Sequence, residues 1–289
     1  MATHTIESAA LRVTVADAGA ELVSAIDMAT GAERVWTGDP AVWTRHAPIL
    51  FPFVGKLADG QSRHGGAEYP MKTQHGFARD MEFTCVEETA DAVTHELTSN
   101  DWTRERYPWD FRLTVRHRVG PGRELSVEWT VENTGEGEML FAIGGHPGFL
   151  LPEGVRKEDC FITFPGRKNL TCISVNRAGF ALAERKAIAL EDGRARYRAD
   201  IPDTWIFEDG QVQSVGIALP DGRPYVLLEC EQFPMLAVWA NPNGPFICLE
   251  PWFGRTDDVG FSGEISEKKD MQRLAPGGKR AISYRMTFM

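Results

Sequence analysis

The chain has 289 residues, 43% of them hydrophobic and 25% charged, an ordinary globular composition with ample length for a large core. Its formal net charge of −10 argues against a general nucleic-acid or anionic-membrane surface, because both need a basic patch. No apolar run is long enough to span a bilayer, the Met1–Glu7 stretch lacks a signal-peptide pattern, and the five cysteines (Cys85, Cys160, Cys172, Cys230, Cys248) contain no CxxC pair, so the expectation is a cytoplasmic protein with reduced, mostly buried thiols.

Taken in order, the chain is dominated by alternation at period two. Leu11, Val13 and Val15 face one way and Arg12 and Thr14 the other. The same pattern returns at Phe111–Val119, at Leu125–Val131 and at Ile282–Phe288, and it predicts half-buried strands. Turn signals separate strands at Gly120-Pro121-Gly122, at Asn133–Gly137 and at Pro220–Arg223, and such short spacings predict antiparallel pairing. Helical candidates are few: a turn capped by Asp39 running to Trp43, and one capped by Asn100 that ends before Pro108. Residues 152–202 are the least patterned, and 184–198 reads either as a loop with a short helix or as short strands. The expectation is one all-β domain spanning 1–289, built of two packed sheets.

The histidines divide by setting. His95 and His117 occupy apolar positions of alternating runs and read as strand residues. His4 reads as part of a loose terminus and His64 as a turn residue. His146, in Gly144-Gly145-His146-Pro147-Gly148-Phe149, follows a strand and is presented by Gly and Pro rather than packed; it is either a general acid or a loop residue satisfying carbonyls. His75, in Gln74-His75-Gly76-Phe77-Ala78-Arg79-Asp80, suits a polyhydroxyl or anionic ligand together with Arg79, or else belongs to a loop salt-bridge cluster of Arg79 and Asp80.

Other side chains carry two readings as well. Lys56 ends a long apolar run after Gly55 and either snorkels out of a buried strand or meets a ligand. Asp203 reads as a strand-opening cap or a ligand contact, and Trp239 as core or as a sugar-stacking face. Glu250 ends the apolar run Phe246-Ile247-Cys248-Leu249, and Pro251 is expected to stop the strand there. A carboxylate at the rim of a core is costly unless it is solvated, paired or used, which makes Glu250 the leading candidate for a catalytic base. No P-loop, GxGxxG, HExxH or GxSxG motif is present, Asp257-Asp258 lacks the surrounding spacing of a calcium site, and no obligatory metal or cofactor is expected.

Four motifs in order resemble the aldose 1-epimerase (galactose mutarotase) family and its LacX-like branch: residues 48–57 (Pro-Ile-Leu-Phe-Pro-Phe-Val-Gly-Lys-Leu), 74–81 (Gln-His-Gly-Phe-Ala-Arg-Asp-Met), 143–149 and 246–258. Gly38–Trp43 resembles that branch too. The resemblance implies a galactose mutarotase-like β supersandwich that interconverts α and β anomers of an aldohexose through the open-chain aldehyde, without cofactor. It implies Glu250 as general base, His146 as general acid, and His75 and Asp203 as sugar contacts. Lys56 stands where many members carry Arg, and the motif holding Arg79 also occurs in hexose-6-phosphate mutarotase relatives. The implied partner is a small-molecule sugar, with no nucleic acid or membrane, bound by a monomer or homodimer. A non-catalytic sugar sensor is the alternative, as is a glycoside-processing enzyme using Asp203 and Glu250.

Overall fold

The alternating segments form strands, and every pairing between named strands is antiparallel. A computed structural model describes residues 2–197 and 204–289. A nine-stranded sheet runs in the order Arg194–Arg196, Phe161–Thr163, Ser214–Ala218, Pro224–Glu229, Lys279–Phe288, Glu124–Asn133, Phe111–Val119, Ala92–Thr98 and Thr84–Glu88. An eight-stranded sheet runs Lys186–Ala189, Asn169–Ile173, Thr204–Phe207, Met235–Trp239, Phe246–Phe253, Ile143–Gly145 and Ile49–Leu50, with Gly148–Leu150 also paired to Phe246–Phe253. A three-stranded sheet from Thr3–Glu7, Leu11–Ala16 and Leu22–Asp27 precedes them.

One core serves both large sheets. Leu113, Val115, Trp129 and Met286 enter it from the nine-stranded sheet and Phe149, Trp205, Ile247 and Leu249 from the eight-stranded one. Phe149 meets Phe288 across the interface with ring centroids 6.2 Å apart. These are the inward positions of the period-two pattern, so the alternation that marked the strands also fixes which face is buried. The architecture is the all-β sandwich expected.

Local departures have local causes. Asn133–Gly137 is not a hairpin: the next strands, Met139–Phe141 and Ile143–Gly145, pair with Gln272–Leu274 and with Phe246–Phe253, so this turn carries the chain out of the nine-stranded sheet. Pro251 does not stop the strand, which continues to Phe253 with Pro251 opposite Leu236. His4 is not loose but lies in Thr3–Glu7, held by Asp17 and Glu88. His64 ends the strand Gln61–His64 and packs on Trp109 at 4.6 Å. The Asp39 carboxylate accepts from Ala41 N and closes a turn, not a helix, while Asn100 and Thr103 form a capping box on the four-residue helix Asp101–Arg104. Residues 184–198 resolve into the short strands Lys186–Ala189 and Arg194–Arg196 as far as they are described. Of the cysteines, which are all free, Cys85 is partly exposed and the other four are buried.

The segment after the strand Phe246–Phe253 ties remote pieces together. The Arg255 guanidinium donates to Glu208 at 2.8 Å and pairs with Asp258 at 2.9 Å. Thr256 Oγ1 accepts from Lys56 N at 3.1 Å and donates to Gly179 O at 2.7 Å. Asp257 accepts from Ala58 N at 2.8 Å and pairs with the buried Lys268 ammonium. Both acids are therefore engaged by cations of the chain itself. Truncating one partner of a buried pair strands the other charge, so Lys268→Met is expected to lower unfolding free energy by about 3–5 kcal/mol in urea denaturation. A loss under about 1 kcal/mol, the size of an exposed pair, would refute the buried clamp.

Candidate active site

The strand Phe246–Phe253 is buried on both faces, and alternation assigns each residue a side. Ile247, Leu249 and Phe253 enter the main core. Phe246, Cys248, Glu250 and Trp252 take the opposite face. Ala237, directly across from Glu250 on Met235–Trp239, is small and leaves space over the carboxylate, and Trp239 lies across from Cys248. On the other side the neighbouring strand is interrupted between Ile143–Gly145 and Gly148–Leu150. The pairs Gly144↔Trp252 and Gly148↔Cys248 bracket that break, so His146 falls opposite Glu250. Gly144 is required there, because a Cβ would stand 2.5 Å from the Trp252 ring.

This register brings His146 Nε2 to 3.2 Å from Glu250 Oε2. Glu250 is 1% exposed and His146 8%. Neither carboxylate oxygen, nor His146 Nδ1, has a hydrogen-bond partner among the described residues. Burial drives the Glu250 pKa well above the ordinary carboxylate range; the Trp252 indole N–H opposes this but meets no acceptor in hydrogen-bond geometry. Burial likewise pushes His146 down to about 3. Both groups are held toward their neutral forms, with one proton for the pair. Cys248 completes a trio whose donor atoms lie within 4.8 Å of one another, and burial raises its thiol pKa well above the ordinary value.

The pair lies in a cleft of about 330 Å³. Six of the seven predicted side chains line it: Glu250, His146, His75, Lys56, Arg79 and Trp239. Asp203 lies outside the described residues; Thr204, next to it, lines the cleft. His75 takes a left-handed backbone (φ +68°) in a turn lashed to the segment 51–55 by His75 N→Gly55 O and Phe77 N→Phe51 O. Gly76 allows the approach, since a Cβ there would stand 2.2 Å from Phe51 O. Gly55 N donates to His75 Nδ1 at 3.1 Å. Nδ1 is thus the acceptor nitrogen, the imidazole proton belongs on Nε2, and His75 offers a donor. Burial, reinforced by His146, lowers the His75 pKa well below the usual histidine value, so the ring is neutral.

Arg79 does join a loop salt-bridge cluster with Asp80, but loosely, and it lines the cleft as well. Asp80 pairs with Arg45, stands 3.9 Å from Arg79 Nε, and leaves that buried nitrogen without a hydrogen-bond partner. Lys56 Nζ donates to Ala178 O at 2.8 Å. Trp239 is half-buried and packs edge-on to His146 at 5.4 Å, so it belongs to the cleft wall. Residues not singled out from sequence also line it. Trp43 packs against His146 at 5.0 Å, and Asn176 and Arg177 come from the stretch with no clear pattern. The Asn-Arg-Ala-Gly sequence there signals a turn, but nothing in it marks a cleft.

The chain belongs to the aldose 1-epimerase family, whose sequence model matches residues 2–251. It is 28% identical over 283 residues to the plasmid-encoded protein LacX of Lactococcus lactis subsp. lactis, covering 94% of each chain. The galactose mutarotase related enzyme of Lactobacillus acidophilus superposes with a TM-score of 0.93 at 30% identity, over 100% of this chain and 97% of that one. A galactose mutarotase-like protein of Lactobacillus casei gives a TM-score of 0.91 at 31% identity, covering 100% of both chains. Family and neighbours support a mutarotase-type function with a small-molecule sugar ligand. Among the described residues no helix is long and apolar enough to cross a membrane.

A buried carboxyl with a raised pKa has a sign-defined effect on stability. Between the unfolded value near 4.5 and the higher folded value, the folded state binds more protons than the unfolded one. The group's contribution is therefore present below about 4.5 and is lost as pH rises through that window. Gln has no charge to bury. Glu250→Gln is expected to melt above wild type at pH 8, with the gap closing as pH falls below 4.5. A variant that melts below wild type at every pH would refute the uncompensated burial.

Proposed function

We propose that this chain is a cofactor-independent aldose 1-epimerase that opens and recloses the ring of an aldohexose, with Glu250 and His146 as its acid–base pair. The observation that carries the reading is the 3.2 Å contact of His146 Nε2 with Glu250 Oε2 at the floor of a cleft, their remaining polar atoms unpartnered. Ring opening needs a base at the anomeric hydroxyl and an acid at the ring oxygen. A hydroxyl donated to Glu250 supplies the hydrogen bond the carboxylate lacks and favours its ionised form. The proton of the pair then belongs on His146 Nε2, which gives it to the ring oxygen as Glu250 takes the anomeric proton. After rotation about C1–C2 the two groups act in reverse. His75 donates to a sugar oxygen from Nε2, and Trp43 and Trp239 offer flat apolar faces beside it.

Each group in such a pair contributes typically ~10²–10⁴-fold. In polarimetry on freshly dissolved glucose or galactose, Glu250→Gln and His146→Asn are each expected to lose about that factor while remaining folded by circular dichroism. Wild-type rates in either variant would remove it from the mechanism. Sugar binding by the wild-type protein with no faster mutarotation would make it a sensor instead.

A second reading has its own observation. Lys56, Arg79 and Arg177 line the same cleft, and none of them has a carboxylate oxygen closer than 3.9 Å among the described residues. Cations this loosely paired over a site whose acid is buried favour an anionic sugar such as a hexose 6-phosphate. Arg79→Gln is expected to lower kcat/KM for the phosphate ester about tenfold or more, the worth of a charge-assisted hydrogen bond, and to leave the unphosphorylated hexose nearly unchanged. Equal losses on both would assign Arg79 to the shape of the cleft rather than to phosphate.

A further inference from the structure

Away from the cleft, a second cluster of chemically capable side chains has no role in the proposed reaction. Leu11–Ala16 pairs with Thr3–Glu7, and Asp17 follows it; Thr84–Glu88 pairs with Ala92–Thr98. A register shift between Cys85 and Glu87 lets the edge strand set Cys85 opposite His95. The result gathers one ring nitrogen each of His4 and His95 and the Cys85 sulfur within 4.8 Å of one another.

The carboxylates of Glu88 and Asp17 hold the ring nitrogens of this cluster in place. His4 Nδ1 lies 2.8 Å from Glu88 Oε2, and its Nε2 lies 2.9 Å from Asp17 Oδ1. His95 Nε2 lies 3.1 Å from that same Asp17 oxygen. A carboxylate only accepts, so all three nitrogens must carry protons and His4 must be an imidazolium. Two imidazoles converge on one oxygen, and the thiol beside them lies 3.7 Å from the backbone carbonyl of Glu87. The outer contact is of the kind that orients a metal ligand: a carboxylate, Glu88, holding the far nitrogen of His4 and leaving Nε2 to face inward.

We propose that His4, Cys85 and His95 form a transition-metal site, with zinc(II) the ion its two nitrogens and one sulfur suit best. Donors at zinc distances of about 2.0–2.3 Å are separated by less than the present spread, so the cluster closes by roughly an ångström on binding. The fourth position falls to Asp17 Oδ1 or to water. Loading releases two protons, one from His4 Nε2 and one from the Cys85 thiol, while the His95 proton moves from Nε2 to Nδ1. The thiolate and Asp17 together balance the two positive charges of the ion. His4 and His95 come from different sheets, so a bound ion would staple the N-terminal three-stranded sheet to the edge of the nine-stranded one. A staple of this kind stabilises the fold without touching the cleft.

Cobalt(II) is the probe, because a thiolate ligand gives it a near-ultraviolet charge-transfer band. The full-length protein is expected to bind one equivalent with that band, to lose the band in Cys85→Ser, and to keep it in Cys248→Ser. Glu88→Gln is expected to weaken binding about 10–100-fold, the usual effect of removing a residue that orients a ligand. Zinc(II) is expected to raise the Tm of the wild-type protein and not that of Cys85→Ser. Absence of the band, or its persistence in Cys85→Ser, overturns the site. So does its loss in Cys248→Ser, which would place the ion on the His146, Cys248 and Glu250 donors instead. None of these outcomes depends on whether the cleft is catalytic.

Discussion

The Glu250 carboxyl is buried without a Lys or Arg in contact or a hydrogen-bond donor among the described residues, and much of the architecture exists to hold it there. An isolated charge in such a place costs several kcal/mol even after relaxation, against a total stability of about 5–15 kcal/mol for a typical domain. Evolution has a cheaper choice at a buried strand position, namely any apolar residue of similar size. The carboxyl persists only because its strand is paired to neighbours on both sides and its alternate residues are fixed in the main core. With Ile247, Leu249 and Phe253 anchored, Glu250 cannot rotate to solvent without withdrawing the whole strand. A hydrogen-bonding ligand can relieve the cost, which is the physical sense in which the site is preorganised for one.

His146 reaches that carboxyl through strand register, not chain proximity. A continuous strand would pin His146 into the ladder. A loop would leave its direction to chance. The interruption between Ile143–Gly145 and Gly148–Leu150 does neither: the flanking pairs hold the register while His146 N bonds to Pro48 O on the far side. The same interruption explains why Pro251 is tolerated within a central strand. It lies where the adjacent strand is broken, so its missing N–H removes little. Gly144, Pro147 and Pro251 thus share one geometric task, keeping two polar side chains on one face at contact distance.

The fold was legible because period-two alternation is a direct record of one buried face, as at Phe111–Val119 and Lys279–Phe288. It became illegible where strands are short or buried on both faces. Phe246–Phe253 gives no alternation, since its second face meets Trp36 and the cleft rather than solvent, and Pro251 therefore reads as a terminator. Asn133–Gly137 has the chemistry of a hairpin turn, and only the pairing of Met139–Phe141 with Gln272–Leu274 shows that it crosses between sheets. At the cleft, single residues flanked by Gly or Pro could be picked out, as His75 and His146 were. Arg177 could not, because it is brought in from a stretch with no distinguishing pattern, nor could Thr256, whose motif says nothing of its tertiary partners. The Thr256 hydroxyl touches both the Lys56 backbone and Gly179 O, a role that exists only once three separate segments meet.

The cleft keeps its cations off Glu250 but not out of reach of His146. A cation in contact with Glu250 would hold the carboxylate ionised and weaken it as a base. Among the described residues no Lys or Arg forms an ion pair with Glu250, and burial is the leading cause of its shift. Lys56, Arg79 and Arg177 instead stand elsewhere on the cleft lining, where an anionic substituent of a ligand would find them without touching the floor. Arg79 nevertheless reaches the pair, since its charge adds to burial in lowering the His146 pKa, so on the proposed reading recognition and proton transfer are coupled through that residue. Replacing Arg79 would change the proton affinity of His146 along with any contact to an anionic ligand, whereas Lys56 and Arg177 are not among the causes of the His146 shift.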